Sequence, residues 1–279
     1  MVQYFKILRI KHWIKNLFLF AAPFFGGRLF HEETVLVAFP AFIAFSLCAS
    51  AAYIFNDIKD IKNDKLHSEK LKRPVASGSI SRRNASVFIF SLLVPSFILS
   101  YKITPVFFYY ILSYLIIQIV YSLYLKNVAL LDIFCIASGF VIRVLAGGTA
   151  FHTEVSHWLL LTMFMISILL AAGKRLGELS LLNEKAEEHR KSLMNYSTTT
   201  LNEILLISAS TSLITYALYS IEQFKSFVYT VPIVTFGLFR YIMLSKRGLG
   251  DPTEAMTNDK WLALTVGLWL IVVGIIRYY

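Results

Sequence analysis

The apolar residues of this chain are gathered in long blocks rather than spaced at the helical period. Val35 to Phe55 carries no charge at all, and blocks of similar length recur as far as the C-terminus. Roughly 20 apolar residues in helical form cross the hydrocarbon of a bilayer, so each block predicts a spanning helix. Nine are expected, at about 16–30, 35–55, 86–103, 105–125, 129–150, 158–173, 203–221, 226–245 and 260–278, with room for the sixth to run on past Lys174. Ser81 is positioned to cap the third, and Gly147-Gly148 to end the fifth. Nothing between the blocks reads as a linker, a low-complexity tract or a second domain. The expected fold class is therefore all-α, a polytopic membrane protein whose residues 1–279 form a single domain.

Composition agrees. The chain is 57% hydrophobic and 16% charged, with a mean hydropathy of +0.63. A soluble domain of 279 residues could not hide that much apolar surface. The 27 Lys and Arg residues set the expected orientation. Arg28, Lys102, Lys225 and Arg277 fall on one side of the span pattern, and Arg143 and Arg240 fall within spans. All the others lie at the N-terminus and in the even-numbered loops, which the positive-inside rule places in the cytoplasm, with the C-terminus outside. The formal charge of +10 thus belongs to one membrane face, where it suits anionic lipid or a phosphorylated substrate. Nucleic acid is not an expected partner, because the cations are divided among short loops. Cys48 and Cys135 fall inside spans and read as small core residues. The basic start followed by Leu17 to Phe25 resembles a signal peptide, but no small-x-small site follows, so cleavage is not expected. His12, His31, His67, His152, His157 and His189 show no ligand spacing.

The candidate chemistry lies at the mouths of the blocks. Directly after the uncharged second span come Asn56-Asp57-Ile58-Lys59-Asp60-Ile61-Lys62-Asn63-Asp64. On a helix, Asp57, Asp60 and Asp64 sit at roughly 0°, 300° and 340°, so they share a face. Clustered carboxylate oxygens suit a hard cation such as Mg2+, whose shell substrate phosphates usually complete. The bland reading is a solvated loop at the membrane surface. Lys72-Arg73-Pro74 to Gly78 offers Arg73 as a planar fork for phosphate. Tyr121, Lys126 and Asp132 flank the turn between spans four and five. Lys174-Arg175-Leu176-Gly177-Glu178 follows span six; a Lys174–Glu178 surface pair at i, i+4 is the simple reading, and a grip on a polyanion is the functional one. For Arg143 and Arg240, snorkelling toward water is the default. The carboxylates of Asp251, Glu254 and Asp259 in the last loop are placed to support a basic site.

In this order, Asn56-Asp57-x-x-Asp60-x-x-x-Asp64, Lys72-Arg73-Pro74 to Gly78, and Tyr121 with Lys126 resemble the UbiA-type superfamily of intramembrane prenyltransferases. The resemblance covers nearly the whole chain. It implies nine helices around a central cavity, Mg2+ held by Asp57, Asp60 and Asp64, and an active site at the cytoplasmic face of a bacterial inner membrane. Typical members carry a second aspartate-rich motif after the sixth helix, where this chain has Lys174-Arg175-x-x-Glu178. That substitution is similar to the phosphoribosyl-transferring branch, as are Arg9-x-Lys11-His12-Trp13-x-Lys15-Asn16, Ser138 to Arg143, and Arg240-Tyr241 with Gly250 to Glu254. In that branch the donor is phosphoribosyl diphosphate, the acceptor is a polyprenyl phosphate, and the product feeds arabinose donors for cell-wall polysaccharide.

The roles implied are catalytic for Asp57, Asp60, Lys174 and Arg175. Substrate binding would fall to Lys15, Asn56, Arg73, Tyr121, Lys126, Arg143, Lys174, Arg175 and Glu178. The alternatives are a prenyltransferase using a polyprenyl diphosphate donor with an aromatic or lipid acceptor, and a cation-coupled transporter. A transporter would place its ionisable groups nearer mid-membrane. The oligomeric state stays open, a homo-oligomer included.

The charge pattern makes a topology prediction. Cysteines at Ser68 and Asn183 should be labelled by an impermeant maleimide only from the cytoplasm, and one at Thr153 only from outside. Labelling of Ser68 and Thr153 from the same side would overturn the span order.

Overall fold

The structure is a computed structural model describing residues 2–66, 70–182 and 191–279. Ser68 and Asn183, the two sites expected to be labelled from the cytoplasm, lie outside the described residues. Thr153 is buried, so the exposed Glu154 beside it is the better outer site. The helices in chain order are α1 (Val2–Leu8), α2 (Ala21–Phe25), α3 (Glu32–Lys65), α4 (Arg82–Ile103), α5 (Pro105–Leu123), α6 (Leu131–Ala150), α7 (His157–Leu182), α8 (Thr198–Gln223), α9 (Val231–Lys246), α10 (Pro252–Asn258) and α11 (Lys260–Tyr278). Among the described residues, eight helical segments are long and apolar enough to cross a membrane. They fall where spans two to nine are expected, α3 and α7 running past the apolar blocks into the charged ones.

The first expected span is built differently. Its backbone breaks at Arg9, whose φ of 52° is left-handed, and then runs as a 3-10 helix over Ile10–Phe20 before α2. Only residues 16–20 of the 3-10 stretch, with α2, fall within the expected 16–30, and this segment is not among the eight. The tighter winding sets a register. Residues i and i+3 of a 3-10 helix eclipse at about 6 Å, the rise that separates i and i+4 of an α-helix. Trp13 and Asn16 therefore meet Ser50 and Ser46 of α3 one to one. Trp13 Nε1 donates to Ser50 Oγ at 2.9 Å, and Asn16 Nδ2 to Ser46 Oγ at 2.9 Å.

The chain packs as two compact units, Met1–Lys126 with Ile142–Val155, and Asn127–Val141 with Ser156–Tyr279. In the first, α3 lies along α4 and α5, and its buried small residues (Ala41, Ala44, Ser46, Ala49, Ser50 and Ala52) allow close approach. Ser96 Oγ of α4 donates to the Ala44 carbonyl at 2.7 Å, a helix-to-helix bond that apolar surroundings favour. In the second unit, α7 packs along α8 and α9, around a core that includes Ile168, Leu169, Leu205 and Leu244. Ser81 caps α4 as expected, accepting from the Asn84 amide at 3.2 Å.

Gly147 and Gly148 do not end the fifth span, because α6 continues to Ala150. They are there for contact: a Cβ on Gly147 would stand 1.8 Å from the Leu19 carbonyl oxygen of the 3-10 segment. Since backbone cannot yield as a flexible side chain does, Gly147→Ala should destabilise the protein by roughly 2–4 kcal/mol. Thermal unfolding in detergent measures this, and a melting temperature equal to wild type would show that the segment can move aside.

Candidate functional site

The last three turns of α3 carry the aspartates out of the apolar block, and all three face cations from other segments. Asp57 and Asp64 are buried. Arg73, in the loop after α3, directs Nη1 to Asp57 Oδ1 at 3.2 Å and to Asp64 Oδ2 at 2.7 Å. Arg9, at the backbone break, donates to Asp57 Oδ1, and Lys126, just past α5, donates to Asp60 Oδ1. Burial works against the Arg9 charge and lowers its pKa, while Asp57 opposes that loss. The guanidinium also lies 5.6 Å from the centre of the Tyr53 ring. These side chains all belong to the first unit.

Among the described residues, no three His, Cys, Asp or Glu side chains converge as a ready-made metal shell. The cations explain why: Arg73 lies between Asp57 and Asp64, and Lys126 engages Asp60. The donor set still fits a hard cation. It consists of carboxylate oxygens, and the buried Asp57 Oδ2 has no hydrogen-bond partner among the described residues, a costly condition that an ion or substrate would relieve.

Sequence reasoning passed over Arg9 as a site residue, although it stands in one of the supporting stretches. Its partner is 48 positions away, beyond any local pattern. The only available signal was electrostatic: carboxylates at an apolar mouth require counter-charges.

Asn56 and Tyr121 are half-buried on α3 and α5, and Lys15 is half-buried on the 3-10 segment. Arg143 does not snorkel. It is buried in α6, donating Nε to Asn16 Oδ1 at 2.8 Å and Nη2 to the Tyr114 hydroxyl at 3.1 Å. Its guanidinium also lies 4.6 Å from the centre of the Tyr114 ring and 5.1 Å from that of Phe45. It thereby ties α6 to α3, α5 and the 3-10 segment.

The second unit holds another charged cluster. Arg175 is 1% exposed, and its Nε reaches the Asp132 carboxylate, itself 0% exposed, at 2.8 Å. Asp132 also accepts from the Tyr196 hydroxyl at 2.7 Å and from Ser192 at 3.3 Å. Burial first, and then the hydrogen bond to Asp132, raise the Tyr196 pKa and keep the phenol protonated. Arg175 Nη1 donates to Glu178 at 2.5 Å, whereas Lys174 reaches Asp251 at 2.7 Å, so the pairs formed are not the expected Lys174–Glu178 one. Asp251 supports a basic residue, as its loop suggests. The close packing here depends on glycine: a Cβ on Gly250 would lie 2.0 Å from the Gly173 carbonyl oxygen, and this contact sets Asp251 beside Lys174. Arg240 makes a two-pronged pair with Asp259 at 3.0 and 2.5 Å.

Comparison with known proteins agrees over nearly the full length. The family model described as "UbiA prenyltransferase family" matches residues 17–263. A protein of Mycobacterium tuberculosis named "Decaprenyl-phosphate phosphoribosyltransferase" is 33% identical over 278 residues, covering 96% of this chain and 92% of that one. A protein of the same name from Corynebacterium glutamicum is 31% identical over 98% of this chain and 86% of its own length. The fold is shared with a UbiA homolog from Archaeoglobus fulgidus solved bound to GPP and Mg2+, at a TM-score of 0.79 and 19% identity, covering 99% of both chains.

Asp132→Ala would leave the Arg175 charge buried without that carboxylate, and should cost roughly 3–5 kcal/mol. Lys174→Ala, at a side chain 39% exposed, should cost less than about 1 kcal/mol. Thermal unfolding compares the two, and equal effects would show that the buried pair does not hold the second unit together.

Proposed function

We propose, from the premise that this chain belongs to the UbiA prenyltransferase family of integral membrane enzymes, that it is a Mg2+-dependent transferase of 5-phosphoribose. Phosphoribosyl diphosphate is the donor and a polyprenyl phosphate the acceptor, at the cytoplasmic face of the membrane. The bond from ribose C1 to the diphosphate oxygen breaks, and a bond from C1 to a lipid phosphate oxygen forms. Diphosphate leaves with the electron pair. The relatives named decaprenyl-phosphate phosphoribosyltransferase support this reading by their coverage of the chain.

The observation that carries the choice of donor is the charged cluster of the second unit. Where an ordinary prenyltransferase would need free carboxylates for metal, Asp132, Glu178 and Asp251 are engaged by Arg175 and Lys174. Lys174, the more exposed cation, is the phosphate contact in this proposal. Arg175, enclosed by Asp132 and Glu178, acts by positioning Glu178 and the start of α6.

In the first unit, Asp57, Asp60 and Asp64 would hold Mg2+, which supplies charge neutralisation to the departing diphosphate. Arg73 and Lys126 fix the phosphate groups by charge-assisted hydrogen bonds. Asn56, Tyr121 and Lys15 lie on the same unit's elements as further substrate contacts. Arg143 keeps those elements in place. The acceptor phosphate is already an anion near neutral pH, so orientation and charge compensation contribute more than a strong base would.

The test supplies purified protein in vesicles with labelled phosphoribosyl diphosphate and polyprenyl phosphate. Transfer to lipid is expected, with loss on chelation and a fall of at least about a hundredfold in Asp57→Ala, Asp60→Ala and Asp64→Ala. Lys174→Ala should raise the KM of a phosphorylated substrate by about tenfold while lowering the melting temperature by no more than about 4 °C. Transfer of a prenyl group from polyprenyl diphosphate to an aromatic acceptor, with none from phosphoribosyl diphosphate, would overturn the choice of donor.

A further inference from the structure

We infer that Arg9 is a placeholder counter-ion: it occupies Asp57 until the donor arrives, so that the metal ion and the diphosphate enter together rather than the ion first. The inference rests on the reading of Asp57, Asp60 and Asp64 as the metal-holding face, and adds to it a residue and an order of binding.

Three observations support it. First, Asp57, Asp60 and Asp64 face Arg9, Arg73 and Lys126. A carboxylate face already matched by cations is formally neutral and has little field with which to draw a bare divalent ion from water. Second, the buried members of the Arg9 and Arg73 pairs are the acids. Asp57 and Asp64 side chains are 2% and 3% exposed, whereas those of Arg9 and Arg73 are 20% and 26% exposed. The cations can therefore turn toward an arriving anion while the acids stay fixed. Third, Asp57 is incompletely served: Oδ1 takes both Arg9 and Arg73, while Oδ2 is buried with no hydrogen-bond partner among the described residues. A site that left a carboxylate half-satisfied for structural reasons alone would carry a standing penalty. A site whose second oxygen awaits a ligand would not.

The exchange follows from charge conservation. An ion bound at Asp57 would repel the guanidinium sharing its oxygen, and a guanidinium leaving a buried carboxylate needs another anion. The donor's diphosphate offers one in the same event. Arg9 is suited to move, because it is the joint between α1 and the 3-10 segment, with φ at 52°.

The experiment measures Mn2+ binding by electron paramagnetic resonance to the full chain in nanodiscs, without any donor. Arg9→Gln should bind Mn2+ on the order of tenfold more tightly than wild type, with Arg9→Lys close to wild type because the charge is kept. Lys126→Gln, at the Asp60 pair, should also tighten binding and serves as an independent variant should Arg9→Gln fail to fold. Adding Asp57→Asn to Arg9→Gln should abolish the gain. The complementary reading is labelled inorganic diphosphate with Mg2+ present, which wild type should retain and Arg9→Gln should lose by a similar factor. Unchanged or weaker Mn2+ binding in both Gln variants, with Asp57→Asn still reducing it, overturns the placeholder role alone. Binding indifferent to Asp57→Asn overturns the metal-face reading and this inference with it.

Discussion

A charge taken out of water into a helical bundle must meet its counter-charge there, and that constraint determines where the polar side chains of this protein lie. Asp57, Asp64, Asp132 and Arg175 are all buried. Each is paired with a group far away in sequence or on another element. Breaking such a pair costs several kcal/mol because the survivor stays buried. The pairs therefore act on the backbone: Arg73 holds the loop after α3 against that helix, Lys126 holds the turn after α5, and Arg9 holds the N-terminal segment. Arg143 meets the same constraint with neutral groups and ring faces, as a guanidinium's spread charge permits.

Backbone geometry completes what the charges begin. Because three 3-10 residues rise as far as four α-helical ones, Trp13 and Asn16 can grip Ser50 and Ser46 without slippage. On its other side the 3-10 segment needs Gly147, whose missing Cβ admits the Leu19 carbonyl. Fixed on both sides, the segment brings its first joint, Arg9, to Asp57. Packing along the 3-10 segment and α3 is thus what delivers the guanidinium to the acid.

Local features were legible in the sequence. The apolar blocks marked spans two to nine, and Ser81 marked the start of α4. The 100° step put three aspartates on one face. Arg73 could be nominated for its planar fork beside a Pro-Gly turn, and Lys126 because it is the single cation in its turn. Long-range features were not legible. Arg175 carries no mark that says it is enclosed by Asp132 and Glu178, and the i, i+4 spacing of Lys174 and Glu178 pointed to a pair that tertiary contacts replaced. The 3-10 winding was hidden for a similar reason, since its stabilisation comes from α3 and α6 rather than from its own residues. Gly147-Gly148 looked like a helix end because a glycine needed for close approach and one needed for a turn are spelled alike.

The two charged clusters differ in a way that separates fixed from exchangeable charge. In the second unit both Arg175 and Asp132 are sealed from solvent, so neither can leave without exposing the other to an apolar interior, and the pair behaves as a structural rivet. In the first unit Asp57 and Asp64 are sealed while Arg9 and Arg73 reach toward water, so these two cations can be traded for a ligand's charges at little cost to the fold. Lys174, tied to a half-exposed Asp251, is of the tradable kind. A rivet must be deep on both sides, whereas a ligand site needs one deep partner to hold its shape and one shallow partner to give way. By that criterion Arg9 and Arg73 are the cations placed to meet the proposed phosphorylated substrate, and Arg175 and Arg143 are the ones that hold the helices in place.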